Sequence, residues 1–189
     1  MRWLRIALAA GYVLPAAAAD FALSDLMRML AQVPAAQAHF TETKHMAVLE
    51  SPLVLKGMLT YRRPDRLEKH VFSPYDERTV VAGDTVTIEN RTRNRTTTLS
   101  LAAAPAVLTL VESLRATLAG DVPLLERLYA SRLEGRADHW ILTLTPRDAS
   151  VAVLIDYVRL TGMDARVVRV EVQEVGGDRS VIQMSASSS

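Results

Sequence analysis

Apolar and polar residues alternate along most of the chain from residue 39 to residue 185, which is typical of strands with one buried face. Turn-forming Gly, Pro, Asn and Asp residues interrupt the alternation at short intervals. We therefore predict about ten strands, in the segments HFTETKHMAVL, PLVLKGMLTYR, RLEKHVF, RTVVA, TVTIE, RTTTLSL, HWILTLTP, SVAVLIDYVRL, RVVRVEVQEV and RSVIQMS.

Helical spacing of apolar residues occurs at the start of this region. Leu23, Met27 and Leu30 lie on one face of a predicted helix that runs to about Val33. Asp20 or Ser24 can cap the helix, because a side-chain oxygen accepts from the free amides of its first turn. We predict one leading helix before the first strand.

A second helical region interrupts the strands. Pro105 suits a first helical turn, and Gly120 suits a helix end. Asp121 can then cap another helix, which we expect to continue to Tyr129. The expected structure is a helical pair with a wide apolar stripe on its first member.

These elements predict an α+β fold that is mainly β. An antiparallel sheet with one apolar face must cover that face. It can close into a barrel, or it can curl and place helices over its open mouth. About three short helices favour the second arrangement, a strongly curved antiparallel sheet or incomplete β-barrel with the helices as a lid.

The first nineteen residues differ from the rest. Arg2 and Arg5 precede an apolar run from Ile6, Pro15 interrupts that run, and small alanines end at Ala19. This order is typical of a secretory signal peptide cleaved after Ala19. The alternative is a membrane anchor, but the run is shorter than the roughly 20 residues of a spanning helix. We expect a leader at 1–19 and a single domain at 20–189, exported to the periplasm.

Composition excludes several classes of function. Lys and Arg number 22 against 21 Asp and Glu, so no nucleic-acid partner is indicated. The chain contains no cysteine, which removes disulfides, thiolate metal sites and cysteine nucleophiles. No nucleophile elbow, phosphate loop, dinucleotide motif or zinc-protease helix is present. The four histidines lack ligand spacing, so we expect no enzyme, no metal and no cofactor.

One strand ends unusually. The face that carries Leu55, Leu59 and Tyr61 finishes at Arg63, directly before Pro64. Arg63 could extend to water beyond the apolar surface. Alternatively, it could point into the mouth of the sheet and donate to carbonyl groups of a covering helix. The residues alone leave these two possibilities equal.

The densest basic segment is RTRNR, residues 91–95. Its simpler interpretation is a solvated hairpin tip. Its functional interpretation is a docking point for an acidic partner surface, formed by Arg91, Arg93 and Arg95.

Three segments in order carry a resemblance to a known family. They are HFTETK at residues 39–44, GMLTYRRPDRL at 57–67 and PYDERTVVAGDTV at 74–86, followed by WILTLTP at 140–146. In this order they resemble the periplasmic outer-membrane lipoprotein carrier LolA and its relatives. The resemblance covers nearly the whole chain after the leader.

The resemblance implies an incomplete β-barrel with a helical lid over an apolar cavity. It implies a carrier that accepts acylated lipoproteins from an inner-membrane complex and passes them to an outer-membrane acceptor. Arg63 matches the family's arginine that ties the lid to the sheet, and Leu67 matches a bulky apolar position beside it. We expect a monomer whose cargo is a lipoprotein or another lipid.

The apolar faces of the predicted strands and helices supply the expected cavity lining. These positions are Leu53, Leu55, Leu59, Tyr61, Leu67, Val86, Ile88, Leu99, Leu101, Val107, Val111, Leu114, Leu118, Leu142, Leu144, Val168 and Val170.

Three hypotheses about function remain open from the sequence. The first is a carrier of acyl chains. The second is an accessory or docking subunit of an envelope lipid or lipoprotein transport complex, which holds no cargo. The third is an enzyme that acts on acyl substrates, for which no nucleophile and base can be placed. The size of the space between sheet and helices separates the first two.

Overall fold

The computed structural model describes residues 21–103 and 105–186, and the side chains in these ranges except those of 105–107, 109, 110 and 186. The predicted leader lies outside the described residues. Eleven strands form one antiparallel sheet: β1 Ala35–His45, β2 Leu53–Arg62, β3 Arg66–Ser73, β4 Glu77–Ala82, β5 Thr85–Asn90, β6 Arg95–Ser100, β7 Tyr129–Arg136, β8 His139–Pro146, β9 Ile155–Met163, β10 Arg166–Glu174 and β11 Arg179–Ala186. The helices are α1 Leu23–Leu30, α2 Pro105–Ala119, α3 Val122–Leu128 and α4 Ala149–Ala152, with a 3-10 turn at Leu101–Ala103.

The strand order is β6-β5-β4-β3-β2-β1-β11-β10-β9-β8-β7. Most strands therefore pair with their neighbours in sequence. The exception is the β1–β11 pair, which joins the first and last strands at the middle of the sheet. β6 and β7 are the two edges and do not pair with each other, so the sheet curves without closing. The predicted mainly β fold, an incomplete barrel with helices, is confirmed.

The strand missing from the prediction is β7. We expected the second helix of the pair to continue to Tyr129, but α3 ends at Leu128 and β7 begins at Tyr129. Tyr129 is fully buried, and its pairing with Pro146 starts the β7–β8 ladder. The backbone of β7 forms its hydrogen bonds with β8. The spacing of apolar residues within the segment does not reveal a pairing with a distant strand.

A fourth helix was also missed, because it occupies the first part of a predicted strand. In α4 the Asp148 carboxylate accepts a hydrogen bond of 2.8 Å from the amide of Ser150. This cap starts one helical turn, and the strand begins only at Ile155.

The helical pair agrees closely with the prediction. The carboxylate of Asp121 accepts from the amide of Leu124 at 3.0 Å and caps α3. Gly120 ends α2 with φ +77°, and a Cβ there would meet the carbonyl oxygen of Met27 at 2.5 Å. Glycine therefore permits both the turn and the close approach of α1. α1 itself is shorter than predicted and ends at Leu30.

The strand register assigns side chains to the two faces of the sheet. Residues directly opposite each other in an antiparallel pair project to the same face. The concave face, which faces α1, α2 and α3, carries three apolar clusters; we call these three helices the lid. The convex face is largely polar and carries many of the arginines of the strands.

Cluster 1 packs the lid onto β7–β10. Its fully buried members include Met27 and Leu30 of α1, and Trp140, Leu142 and Leu144 of β8. Cluster 2 packs α2 and the 3-10 turn onto β4 and β5 through Val81, Val86, Leu101 and Val111.

Cluster 3 lies at the middle of the sheet. Phe40, Leu55 and Val71 form its buried centre, and Leu53, Leu59, Tyr75, Ile182 and Met184 pack around them. A Cβ on Gly57 would meet the carbonyl oxygen of His70 at 1.9 Å and the ring of Phe40 at 2.8 Å. Gly57 thus allows the Phe40 ring to lie directly on the sheet.

Within residues 21–103 and 105–186, no helix is both long and apolar enough to cross a bilayer.

Candidate functional site

Most residues predicted to line the cavity do lie on the concave face, but they divide among the three clusters. Cluster 1 contains Leu114, Leu142, Leu144 and Val170; cluster 2 contains Leu67, Val86, Ile88, Leu101 and Val111; cluster 3 contains Leu53, Leu55 and Leu59. Tyr61 is buried and Leu118 half-buried. Whether these residues hold cargo stays a prediction.

Two predicted lining residues are placed differently from the expectation. Leu99 shares the face of Val86 but lies on edge strand β6, where it remains 47% exposed. Val168 lies at a β-bulge, a register shift between Val167 and Arg169. The extra residue reverses the alternation, so Val167 joins Val170 in cluster 1 in its place. The side chain of Val107 in α2 lies outside the described residues.

Arg63 contacts the lid. Its guanidinium donates a hydrogen bond of 3.1 Å to the carbonyl oxygen of Ala119, the last residue of α2. The last carbonyls of a helix have no partner within the helix and carry its partial negative charge, so a cation is favoured there. Arg63 itself remains exposed. Its role in lid closure stays a prediction.

A second arginine, which the sequence analysis missed, ties the lid to the sheet in the reverse direction, from the helix to the turns. Arg115 of α2 is only 8% exposed. It donates to the carbonyl oxygen of Asp65 from Nε and Nη2 at 3.2 and 2.9 Å, and from Nη2 to that of Gly83 at 2.7 Å. Its Nη1 bonds Glu112 at 2.9 Å. The available signal was a lone cation within the apolar stripe between Val111 and Leu118.

Both contacts converge on the turn between β2 and β3. Arg63 donates from this turn to the lid, and the carbonyl of Asp65 in the same turn accepts from the lid. The Asp65 carboxylate also accepts from the amide of Gly83 at 3.0 Å, which links the turn to the β4–β5 turn. One end of α2 is therefore held by polar contacts to two turns.

No lid residue belongs to cluster 3 among the described side chains. Its members come from β1, β2, β3 and β11 and from the β3–β4 loop, and Leu53, Leu59, Ile182 and Met184 are only half-buried. The centre of the concave face therefore presents apolar side chains that no described lid side chain of the three clusters covers, and we call this surface the groove.

A buried ion pair lies in this groove. Glu42 of β1 is 2% exposed, and its carboxylate accepts from the Lys69 ammonium and, at 2.6 Å, from the hydroxyl of Ser180. Burial by itself raises the pKa of Glu42, but the charge and hydrogen bonds of its partners outweigh it and lower the pKa. The Lys69 ammonium also lies 5.4 Å from the centre of the Phe40 ring. The groove therefore has apolar walls and one buried carboxylate, Glu42, whose charge Lys69 neutralises.

Tyr61 places a second buried polar atom on the concave face. Its hydroxyl is buried and has no hydrogen-bond partner within the residues that the structure describes. An unsatisfied buried hydroxyl costs roughly 1–3 kcal/mol.

The predicted docking residues lie at the tip of the β5–β6 hairpin. Arg91, Arg93 and Arg95 are exposed, and Arg91 lies 3.9 Å from Asp76. A cleft of about 310 Å³ opens beside them, lined by Tyr75, Glu77, Asn90, Thr92 and Arg93. The docking role stays a prediction.

A second buried carboxylate, Glu171, lies on the opposite, convex face. Glu171 accepts hydrogen bonds from Tyr157 Oη at 2.8 Å, from Arg169 at 2.9 Å and from Arg179 Nε at 3.1 Å. Burial raises the pKa of Glu171, but these hydrogen bonds and the charge of Arg179 lower it to about 2. The Glu171 carboxylate thus connects side chains of β9, β10 and β11.

Comparison with known proteins identifies the family. A family model described as outer membrane lipoprotein carrier protein LolA-like matches residues 15–188. No curated protein matches the chain.

Several solved structures are similar to this chain at low sequence identity. The LolA superfamily protein NE2245 from Nitrosomonas europaea is 12% identical, with a TM-score of 0.46, over 86% of this chain and 91% of that one. A chain of the Pseudomonas aeruginosa MucA/MucB complex is 16% identical, with a TM-score of 0.46, over 88% of this chain and 58% of that one. A putative outer membrane lipoprotein-sorting protein domain from Vibrio parahaemolyticus is 8% identical, with a TM-score of 0.44, over 86% and 88%. The match of the family model over residues 15–188 shows that this chain belongs to the LolA-like family of outer membrane lipoprotein carrier proteins.

Proposed function

We propose that the protein is a periplasmic carrier that holds the acyl chains of lipoproteins, or of another lipid, against the concave face and moves them toward the outer membrane. The observation that carries this proposal is the apolar groove of cluster 3, which lies beside a lid tied to the sheet by arginine–carbonyl bonds. A ligand in the groove can extend beneath the lid when these bonds open.

The energy of burial suits a shuttle. Transfer of an acyl chain from water contributes about 0.8 kcal/mol per CH₂. A chain of roughly fourteen carbons gains about 10 kcal/mol, from which association subtracts about 4 kcal/mol or more. The result corresponds to a dissociation constant of tens of micromolar or weaker, which allows release.

Lid opening determines how deeply cargo enters. Met27, Leu30, Leu142 and Leu144 are at most 1% exposed, so cargo can reach cluster 1 only by displacing the lid. Packing of cluster 1 then favours closure and expulsion of the cargo. A carrier of this type needs no cofactor and no chemical step.

The carrier needs partners at both membranes. An inner-membrane complex supplies the cargo, and an outer-membrane acceptor takes it. The exposed arginines at the β5–β6 tip are the proposed docking point for an acidic surface of one of these partners. The protein acts as a monomer.

Titration with a fluorescent fatty-acyl probe tests the proposal. Leu59→Glu places a charge in the groove, whereas Val54→Glu places the same charge on the convex face of the same strand, where Val54 is 46% exposed. We expect saturable binding that Leu59→Glu weakens at least tenfold and Val54→Glu leaves unchanged, with circular dichroism showing that both variants are folded. Equal effects of the two variants would contradict a binding site in the groove.

The alternative function is an accessory or docking subunit of an envelope transport complex. Complete packing of the lid onto β8 in cluster 1 favours it, because a site already filled by side chains has no room for cargo. Absence of saturable binding by the wild-type protein to any acyl probe would favour this alternative.

A further inference from the structure

A polar cleft lies on the convex face, on the opposite side of the sheet from the lid. Its volume is about 550 Å³, within the usual range of small-ligand sites. Ala35 and Ala36 at the start of β1 have small side chains, which leave space beside the end of β2 and the start of β3. Gln37, Thr60 and Glu68 add polar groups to the lining.

Three arginines line this cleft. Arg78 is held by Glu68 through two bonds, Nε to Oε1 at 2.7 Å and Nη2 to Oε2 at 2.9 Å. Arg66 lies 3.7 Å from the same carboxylate. Glu89 approaches Arg78 at 3.9 Å but does not line the cleft. The lining residues therefore have a surplus of positive charge.

Arg62 is unpaired among the residues that the structure describes. It lies directly opposite Arg66 across the β2–β3 ladder. Like charges directly opposite each other destabilise a sheet. An anion between the two guanidinium groups would remove this repulsion and use their free donors.

We propose that this cleft binds a phosphate monoester group. Arginine forks match the oxygens of a phosphoryl group, and charge-assisted hydrogen bonds to it are short and strong. After Arg78 is neutralised by Glu68, Arg62 and Arg66 supply two positive charges, which suit a dianion better than a carboxylate. The ligand is either a lipid headgroup or a soluble phosphate ester.

The proposal is independent of acyl binding, because the cleft and the groove lie on opposite faces of the sheet. Arg62, Arg66 and Arg78 share the convex face with Thr60 and Glu68, whereas Leu59 and Tyr61 face the lid side. Failure of one proposal leaves the other intact.

Calorimetric titration of the full chain at pH 8, where phosphate monoesters are dianions, is the first test. The probes are inorganic phosphate, glycerol 3-phosphate and, as a monoanionic diester, dimethyl phosphate. Arg62→Gln and Arg66→Gln are the test variants. Arg132→Gln is the matched control, because Arg132 lies on edge strand β7 with its side chain 76% exposed. Arg78 is left unchanged because Glu68 depends on it.

We expect inorganic phosphate and glycerol 3-phosphate to bind saturably and dimethyl phosphate to bind at least tenfold more weakly. Each test variant should lower the affinity at least tenfold, and Arg132→Gln should lower it less than twofold. No saturable binding of the monoesters, or equal losses in Arg132→Gln, would overturn the proposal.

Flotation with vesicles distinguishes the two sources of the phosphate group. Vesicles of phosphatidylcholine with phosphatidic acid present a monoester headgroup. Vesicles with a larger fraction of phosphatidylglycerol, chosen to match the surface charge, present a monoanionic diester. Selective flotation with phosphatidic acid, lost in Arg62→Gln, supports a lipid headgroup. Binding of glycerol 3-phosphate without flotation supports a soluble ligand. Equal flotation with both lipids in wild type and Arg62→Gln would contradict a phosphate-specific site.

Discussion

The guanidinium of Arg63 and the carbonyl oxygen of Ala119 are joined by a hydrogen bond of 3.1 Å, which connects the β2–β3 turn to the last residue of α2. The two residues are 56 positions apart in sequence. The contact is partly solvated because Arg63 is exposed. Arg115 holds the same helix through buried contacts, so the lid has one weak and one strong attachment.

Removal of the weak attachment should loosen the lid without unfolding the protein. For Arg63→Leu we expect a loss of about 1 kcal/mol, less than the roughly 1.5–3 kcal/mol of a buried charged hydrogen bond, because solvent screens this exposed contact. This shifts the lid toward the open state roughly fivefold. Hydrogen exchange of the α2 amides measures the shift. Arg62→Leu, on the convex face, is the control, and unchanged α2 exchange in Arg63→Leu would argue that Arg63 only extends into solvent.

Removal of the strong attachment should have a larger effect. Arg115→Met keeps the apolar part of the side chain but deprives the carbonyls of Asp65 and Gly83 of their buried donor. We expect a loss of about 3 kcal/mol or more in the free energy of unfolding, because each buried charged hydrogen bond contributes roughly 1.5–3 kcal/mol. Urea unfolding measures it.

A control for Arg115→Met is Arg127→Met, since Arg127 is an exposed arginine of the lid in α3. This change should cost less than about 0.5 kcal/mol, as usual for surface substitutions. If Arg115→Met cost no more than Arg63→Leu, the turn contacts would not be the main attachment of α2.

Acid should weaken the sheet through Glu171. Its pKa is about 2 in the folded protein, against 4.5 as the ordinary value, because hydrogen bonds from two arginines and Tyr157 favour the carboxylate. The unfolded chain therefore binds the proton more readily than the folded one below pH 4.5. The stability that Glu171 supplies is complete above pH 4.5 and declines as the pH falls toward 2.

The measurement is urea unfolding of wild type and Glu171→Gln between pH 7 and pH 3. We expect Glu171→Gln to be less stable at pH 7 by roughly 1.5–3 kcal/mol, with the difference shrinking below pH 4.5. Glu134→Gln, at a half-exposed carboxylate of β7, serves as the control and should change the free energy of unfolding at pH 7 by less than about 0.5 kcal/mol. A gap between wild type and Glu171→Gln that stays constant down to pH 3 would contradict the assigned pKa.

Local rules predicted much of the fold because they act over a few residues. The period of two located ten strands, and Asp121 and Gly120 marked the helix boundaries that the structure has. The errors occurred where a distant partner decides the conformation. β7 contains few apolar residues and is a strand because it pairs with β8, and the bulge at Val168 arises in the pairing of β10 with β9.

The candidate site was also predicted only in part, because distant partners determine its arrangement. Apolar faces identified residues of the concave surface, but periodicity could not show that they form three separate clusters or that the lid leaves cluster 3 uncovered. Arg115 and the Glu42–Lys69 pair were missed, because their partners lie on other elements.

The sequence by itself determined the class of fold, the presence of a helical lid and an apolar inner face, since each follows from the period of hydrophobic residues and from capping within a few positions. The tertiary structure alone decided which carbonyls the arginines reach, which carboxylates are buried and where the arginines of the convex face meet. These relationships depend on strand order and curvature, which bring together residues such as Arg63 and Ala119.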